Sequence, residues 1–131
     1  MGYIVWQESI LTECRLENAQ FIKGKCSGFH CKNTTIKESD FSGTIVDKSS
    51  FDAIDLSEVN FQHAQLSGAH TNHNTNFNYC NFSHTNLSDA SIIAALFQDC
   101  LFEKTSLVEA SLLQCIFKHL HLNKAYCAYE L

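Results

Sequence analysis

Proline is absent from all 131 residues, and methionine and tryptophan occur once each. Ordinary usage would place proline near 5%. Proline has no N–H and cannot donate to a sheet ladder, so a chain without it is free to pair along its whole length. Positive charge is also scarce: nine Lys and Arg stand against fourteen Asp and Glu, a net charge of −5. That balance argues against direct nucleic-acid binding, which relies on clustered cations. No apolar run approaches the roughly 20 residues that span a bilayer, and no charged-then-apolar leader opens the chain. The expectation is a cytoplasmic protein with no membrane partner and no export signal of its own. Glycine-rich phosphate loops, nucleophile elbows and His-Glu-x-x-His motifs are missing as well. The sequence therefore predicts no enzyme and no cofactor, and a narrow filled rod leaves no cavity for a substrate.

What is present is a beat of five. Large apolar residues fall at Trp6, Leu11, Leu16 and Phe21, and again from Ile36 through Phe41, Val46, Phe51, Leu56, Phe61 and Leu66. The beat slips by one residue near Thr71 and resumes at Phe77, Phe82, Leu87, Ile92, Phe97, Phe102, Leu107, Leu112, Phe117 and Leu122. Twenty-five such centres run from Trp6 to Cys127; nine are Phe and eight are Leu. Two positions before most centres the residue is small, as at Cys14, Ala19, Gly24, Thr44, Ala64, Cys80 and Ala95. Phe29 breaks this rule, and the centre after it is the small Cys31. The exchange of large for small conserves core volume.

A period of five is neither the 3.6 of an amphipathic helix nor the 2.0 of an ordinary strand. Two inward positions per five, separated by one, describe a very short strand followed by a turn. Four such units close a coil of twenty residues, and coils stack at about 4.8 Å. About six coils would make a rod about 30 Å long. The register predicts one side stacking Phe21, Phe41, Phe61, Phe82 and Phe102, and another carrying Leu16, Ile36, Leu56, Phe77, Phe97 and Phe117. Gly28, Gly43 and Gly68 all fall two after a centre, at the corners.

Units such as Ser39-Asp40-Phe41-Ser42-Gly43, Ala64-Gln65-Leu66-Ser67-Gly68, Cys80-Asn81-Phe82-Ser83-His84 and Thr85-Asn86-Leu87-Ser88-Asp89 resemble the pentapeptide-repeat family. The resemblance covers about residues 4 to 128 and implies an all-β fold, a right-handed quadrilateral parallel β-helix, as one domain over residues 1–131. It does not fix a function, because a fold carries many.

The cysteines Cys14, Cys26, Cys31, Cys80, Cys100, Cys115 and Cys127 all occupy inward positions. They read as small core residues with free thiols, although Cys80 and Cys100, one coil apart, would lie within disulfide range. The histidines His30, His63, His70, His73, His84, His119 and His121 all point outward. His63 and His84 should be neighbours, so a two-histidine metal site stands beside the simpler reading of a solvated face. No cysteine and histidine can share a metal when one points in and the other out, and no metal centre is predicted.

Two surface features remain. Glu38, Glu58 and Asp99 share a corner column with Asp55 nearby, an acidic face interrupted at Tyr79 and flanked by Lys37 and Lys118. Beyond residue 92, outward positions turn apolar at Ile93, Leu96, Leu101, Val108, Leu113 and Ile116. Contiguous exposed apolar area usually marks an interface, so Ile93, Leu96, Leu101, Leu113 and Ile116 are the interface candidates. The leading expectation is a non-catalytic protein-interaction or scaffold module, with a homodimer as one form of partner. The resemblance adds two alternatives, since some relatives mimic DNA and bind type II topoisomerases such as gyrase, and some modules belong to secreted bacterial effectors. Open coil ends need covering, and Trp6, Tyr126 and Tyr129 are candidate lids.

Overall fold

The five-residue beat sets a backbone cycle. In a computed structural model, which describes residues 4–72 and 74–125, the residue two after each described centre other than Thr71 takes a left-handed conformation. It does so at Gly28, Gly43 and Gly68, but also at Glu8, Lys23, Ala53, Glu58, His63, Tyr79, Ala94 and Lys104, with φ between 52° and 67°. That conformation costs a side-chain-bearing residue roughly 1–2 kcal/mol. It persists because each left-handed residue turns the chain by one corner, and every fourth corner brings it back over itself.

The strands are correspondingly short: β1 (Ile10–Thr12), β2 (Arg15–Glu17), β3 (His30–Lys32), β4 (Thr35–Lys37), β5 (Ser50–Asp52), β6 (His70–Thr71), β7 (Asn76–Asn78), β8 (Ser91–Ile93), β9 (Leu96–Gln98), β10 (Ser111–Leu113) and β11 (Ile116–Lys118). All pairings are parallel. One side of the coil is a six-stranded sheet in the order β1-β3-β5-β6-β8-β10. The next side carries β2-β4 and β7-β9-β11, linked through bridges from Asp55 to Thr35 and Asn76. Six layers, with a full turn of chain between each and the next, give the β-solenoid that the periodicity predicts.

The other two sides pair through single bridges, such as Gln20 to Asp40 to Asn60 and Lys25 to Ile45 to Gln65. On those sides the N–H three after the centre folds back onto the centre carbonyl: Gly24 to Phe21 at 2.7 Å, Ala64 to Phe61 at 2.9 Å and Thr85 to Phe82 at 3.0 Å. The turn consumes residues that extend the strand on the two sheet sides. Gly24 is needed for closeness rather than φ, since a Cβ there would meet the Phe21 carbonyl oxygen at 2.9 Å and that of Ile4 at 3.2 Å.

Inside, like stacks on like. Successive rings of Phe21, Phe41, Phe61, Phe82 and Phe102 have centroids 4.3, 5.4, 5.2 and 5.1 Å apart, and Phe77, Phe97 and Phe117 lie 4.9 and 5.2 Å apart. Aromatic pairs of this kind add to the gain from area burial. Phe29 and Cys31 are both buried, as their exchange of size requires.

The small inward position does more than make room. At several of these positions a Thr or Ser donates to the centre carbonyl of the preceding coil: Thr44 to Phe21 at 2.6 Å, Thr85 to Phe61 at 2.7 Å, Thr105 to Phe82 at 2.7 Å and Ser49 to Cys26 at 3.3 Å. Cys80 and Cys100 donate their thiols in the same way to Leu56 and Phe77. Thr34 and Ser39 turn instead to the carbonyl two residues back, Lys32 at 2.9 Å and Lys37 at 2.8 Å.

The slip at Thr71 is the expected irregularity. Pairing shifts from twenty residues between layers, as in Thr35 to Asp55, to twenty-one, as in Asp55 to Asn76. β6 shrinks to two residues, and only His70 of it pairs with β8. Thr71 is buried, and its hydroxyl oxygen accepts the Ile93 N–H at 3.1 Å. Thr75 donates to the Phe51 carbonyl at 3.1 Å. A hydroxyl thus replaces a missing ladder carbonyl, which is why a polar residue sits at this centre.

Two substitutions check these points. Thr71→Val keeps the volume but leaves the Ile93 N–H buried without its partner, and should cost about 1–3 kcal/mol in urea unfolding. Ala94→Gly relieves a left-handed alanine and should stabilise the fold by roughly 0.5–1 kcal/mol in the same assay.

Candidate functional site

The ladder decides which outward residues meet. Leu113 pairs with Ile93 across β10 and β8, and Ile116 pairs with Leu96 across β11 and β9. Ile93 and Leu113 end their strands, Leu96 and Ile116 begin theirs, and only two residues separate the strands on each coil. Four apolar side chains therefore converge at one corner. Leu113 and Ile116 are 55% and 56% exposed, and Ile93 and Leu96 are half-buried. Leu101 is exposed too, but it bridges Asn81 and His121 on the following side of the coil, away from this corner.

Outward apolar residues are not confined to the stretch beyond residue 92. Val5, Ile10, Ile22 and Ile45 are exposed, Ile10 at 71%. They were missed because each stands alone among polar neighbours. Their columns show it: Ile10 is paired with His30, and Ile45 lies between Lys25 and Gln65.

The acidic face is partly neutralised by its own neighbours. Lys37 Nζ lies 2.9 Å from Asp55 Oδ2. Partial burial pushes the Asp55 carboxyl up, but the Ser57 hydroxyl and the Lys37 ammonium outweigh it and hold the group below the usual range. The Lys37 ammonium is raised by the same partner. Asp99 lies 3.4 Å from His119 Nδ1. Glu38 and Glu58 are exposed, and Tyr79 stands between Glu58 and Asp99 in the column as expected.

At the three corner glycines, the side chain one coil earlier leans along the rod toward them. A Cβ at Gly43 would lie 3.3 Å from Lys23 Cγ, one at Gly68 would lie 3.6 Å from Lys48 Cγ, and one at Gly28 would meet the Glu8 carboxylate. His63 and His84 stack with centroids 4.7 Å apart and planes 23° apart.

Cys26, Cys31, Cys80 and Cys100 are buried, Cys14 and Cys115 half-buried, and all six are free thiols. Cys127, His73, Tyr126 and Tyr129 lie outside the described residues. Burial pushes the Cys31 thiol up to about 12 and that of Cys100 up to about 11. Burial also raises Cys80, with the neighbouring Cys100 adding to it. Raised thiols stay protonated, and a protonated thiol is a poor nucleophile and a poor metal ligand. Among the described residues, no three His, Cys, Asp or Glu side chains gather as a metal site, and no helix is long and apolar enough to cross a membrane.

The rod is not filled throughout, contrary to the expectation of no cavity. A recess of about 320 Å³ opens at the C-terminal layer, lined by Leu107, Leu112, Phe117 and Leu122 over Phe97 and Phe102. The reason is layering: Phe97 and Phe102 are buried by the coil above them, while Phe117 and Leu122 are 43% and 56% exposed. Every residue lining the recess is apolar, so it presents no titratable side chain for acid–base chemistry.

This geometry defines a four-sided parallel β-solenoid with its thiols turned inward and its charged residues and histidines in columns outside. The sequence profile described as Pentapeptide repeats matches residues 36–70 and 73–103 in eight copies, and the chain belongs to that family. The crystal structure of the pentapeptide repeat protein Rfr23 from the cyanobacterium Cyanothece 51142 is similar at a TM-score of 0.70 and 18% identity, covering 92% of this chain and 88% of that one. A pentapeptide repeat protein from the Arabidopsis thaliana thylakoid lumen aligns at 0.49 and 20% identity, over 86% of this chain and 63% of its own. QnrB1, a plasmid-mediated fluoroquinolone resistance protein, aligns at 0.32 and 15% identity, over 96% and 92%, a likeness too distant to carry a functional argument. No curated relative matches the sequence.

The raised thiols carry a pH consequence. Below pH 9, the ordinary thiol value, these cysteines are neutral folded or unfolded. Above it the unfolded chain ionises first, so the stability they contribute falls as pH rises from 9 through about 11–12. Cys80→Ala with Cys100→Ala, the residue found at Ala64, Ala69, Ala90 and Ala95, should flatten the alkaline slope in denaturant titrations. A thiol reagent at neutral pH should label Cys26, Cys31, Cys80 and Cys100 only after unfolding.

Proposed function

We propose that the chain, as a single repeat domain over residues 1–131, is a non-catalytic protein-interaction module of the cytoplasm. The observation that carries this reading is the apolar corner of Ile93, Leu96, Leu113 and Ile116, held in register by two adjacent ladders. A flat-sided rod with its thiols protonated and its recess wholly apolar offers surface rather than chemistry. An apolar cluster beside a polar face suits a protein partner, a second copy of the chain included. Leu101, on the following side, belongs to the rim of such a contact rather than its centre.

The topoisomerase reading draws less support. A DNA mimic needs uncompensated charge along a face, and one of the four acids, Asp55, is paired with the Lys37 ammonium. Glu38, Glu58 and Asp99, interrupted at Tyr79, make a short acidic stretch. A gyrase supercoiling assay separates the readings: inhibition or protection at micromolar protein would favour the mimic, and none is expected.

The test of the main reading is the mass in solution by size-exclusion chromatography with light scattering, for the parent and for Ile93→Glu with Leu113→Glu. The parent is expected as a dimer and the double variant as a folded monomer. Unchanged mass together with unchanged partner binding would sink the proposal.

A further inference from the structure

The corner column that follows the Phe21–Phe102 side runs Lys23, Gly43, His63, His84, Lys104 and Lys124. His63 and His84 are the only adjacent pair of histidines in it, one coil apart and twenty-one residues apart in sequence. Their rings lie 4.7 Å apart at 23°. Both residues are exposed, and both are fixed in the same left-handed backbone conformation at φ 61° and 57°. The ladder locks their spacing: the His63 N–H donates to the Ser83 carbonyl at 3.1 Å, and the His84 N–H to that of Glu103 at 2.8 Å.

Other histidines are engaged by neighbouring side chains. His30 Nδ1 is 2.7 Å from the Ser50 hydroxyl and His119 Nδ1 is 3.4 Å from Asp99. Among the described residues, neither His63 nor His84 has a side-chain hydrogen bond or an ion pair. The ladder fixes the spacing of the two backbones, while the rings, stacked face to face, must turn to point one nitrogen each at a common ion. Two nitrogens bound to one tetrahedral ion at about 2.0–2.1 Å lie roughly 3.4 Å apart. Rings stacked at 4.7 Å reach that separation by turning about the Cβ–Cγ bond, a motion open to exposed side chains. Two ligands leave the remaining coordination positions to water.

We propose that His63 and His84 form a two-histidine binding site for a divalent late first-row transition metal ion, Zn²⁺ or Cu²⁺, on the outside of the solenoid. Imidazole suits these ions, whereas Mg²⁺ and Ca²⁺ prefer oxygen ligands. The bound ion clips the coil of Phe61 to the coil of Phe82. The flanking Lys23 and Lys104 repel a cation, so the site depends on both imidazoles acting together: the second binds at the high effective concentration that the first creates.

The experiment is calorimetric titration of the untagged full chain with ZnCl₂, comparing the parent with His63→Asn, His84→Asn and the double variant. Asparagine holds the same left-handed corner at Asn18, Asn33 and Asn74, so the variants keep the fold. His121→Asn, at an exposed histidine outside this column, is the control. One ion per chain is expected, each single variant should weaken binding at least tenfold, the double variant no further, and His121→Asn should leave binding unchanged. Electron paramagnetic resonance with one equivalent of CuCl₂ should show two imidazole nitrogens in the parent and one in each single variant. Binding untouched by either substitution would overturn the proposal. So would weak binding that each variant merely halves, the behaviour of two independent imidazoles, or a copper spectrum identical in parent and variants.

Discussion

The whole molecule depends on one repeated event, the return of the backbone to the same corner after twenty residues. Each layer hydrogen-bonds only to the layers beside it, and every core side chain is aligned by that bonding rather than by its own shape. Side chains at left-handed corners are strained one by one, yet no corner can relax without breaking a ladder on both sides. The local cost is therefore held in place by the collective pairing, as in other solenoids, where stability is a sum of units and nearest-neighbour terms.

Much of this was legible in the sequence because the period is written in large residues. The Phe21–Phe102 stack, the Phe29 and Cys31 exchange and the irregularity at Thr71 follow from counting. What counting missed is hydrogen bonding. Thr44, Thr85 and Thr105 look merely small, but each also satisfies a centre carbonyl one coil below. Volume shows in composition, whereas a donor's target appears only once the coils are stacked. The same limit applied outside: the register puts Glu38, Glu58 and Asp99 in one column, but the engagement of Asp55 by Lys37 crosses between layers and is set by side-chain reach. The isolated exposure of Ile10 carried no pattern to find.

The candidate site divides in the same way. The convergence of Ile93, Leu113, Leu96 and Ile116 followed from the register alone, since each pair is twenty residues apart. The placement of Leu101 on the following side follows from the same register once the corners are fixed. Chemistry is segregated by the fold: nucleophilic sulfur lies inside, where burial keeps it protonated, and imidazole lies outside, where its lone pairs are available. A fold with this division keeps the outward columns clear of the packing that holds the stack together.

The lean of corner side chains adds a direction to those columns. The stem of Lys23 lies beside Gly43 and that of Lys48 beside Gly68, so each side chain is carried by one coil and reaches toward the next. The glycine works as an empty seat as well as a turn. At these corners the surface consequently has a grain, with the side chain from the neighbouring coil leaning one way along the rod. The two ends of this rod are thus distinguishable from its flank alone, without any contact at the ends themselves.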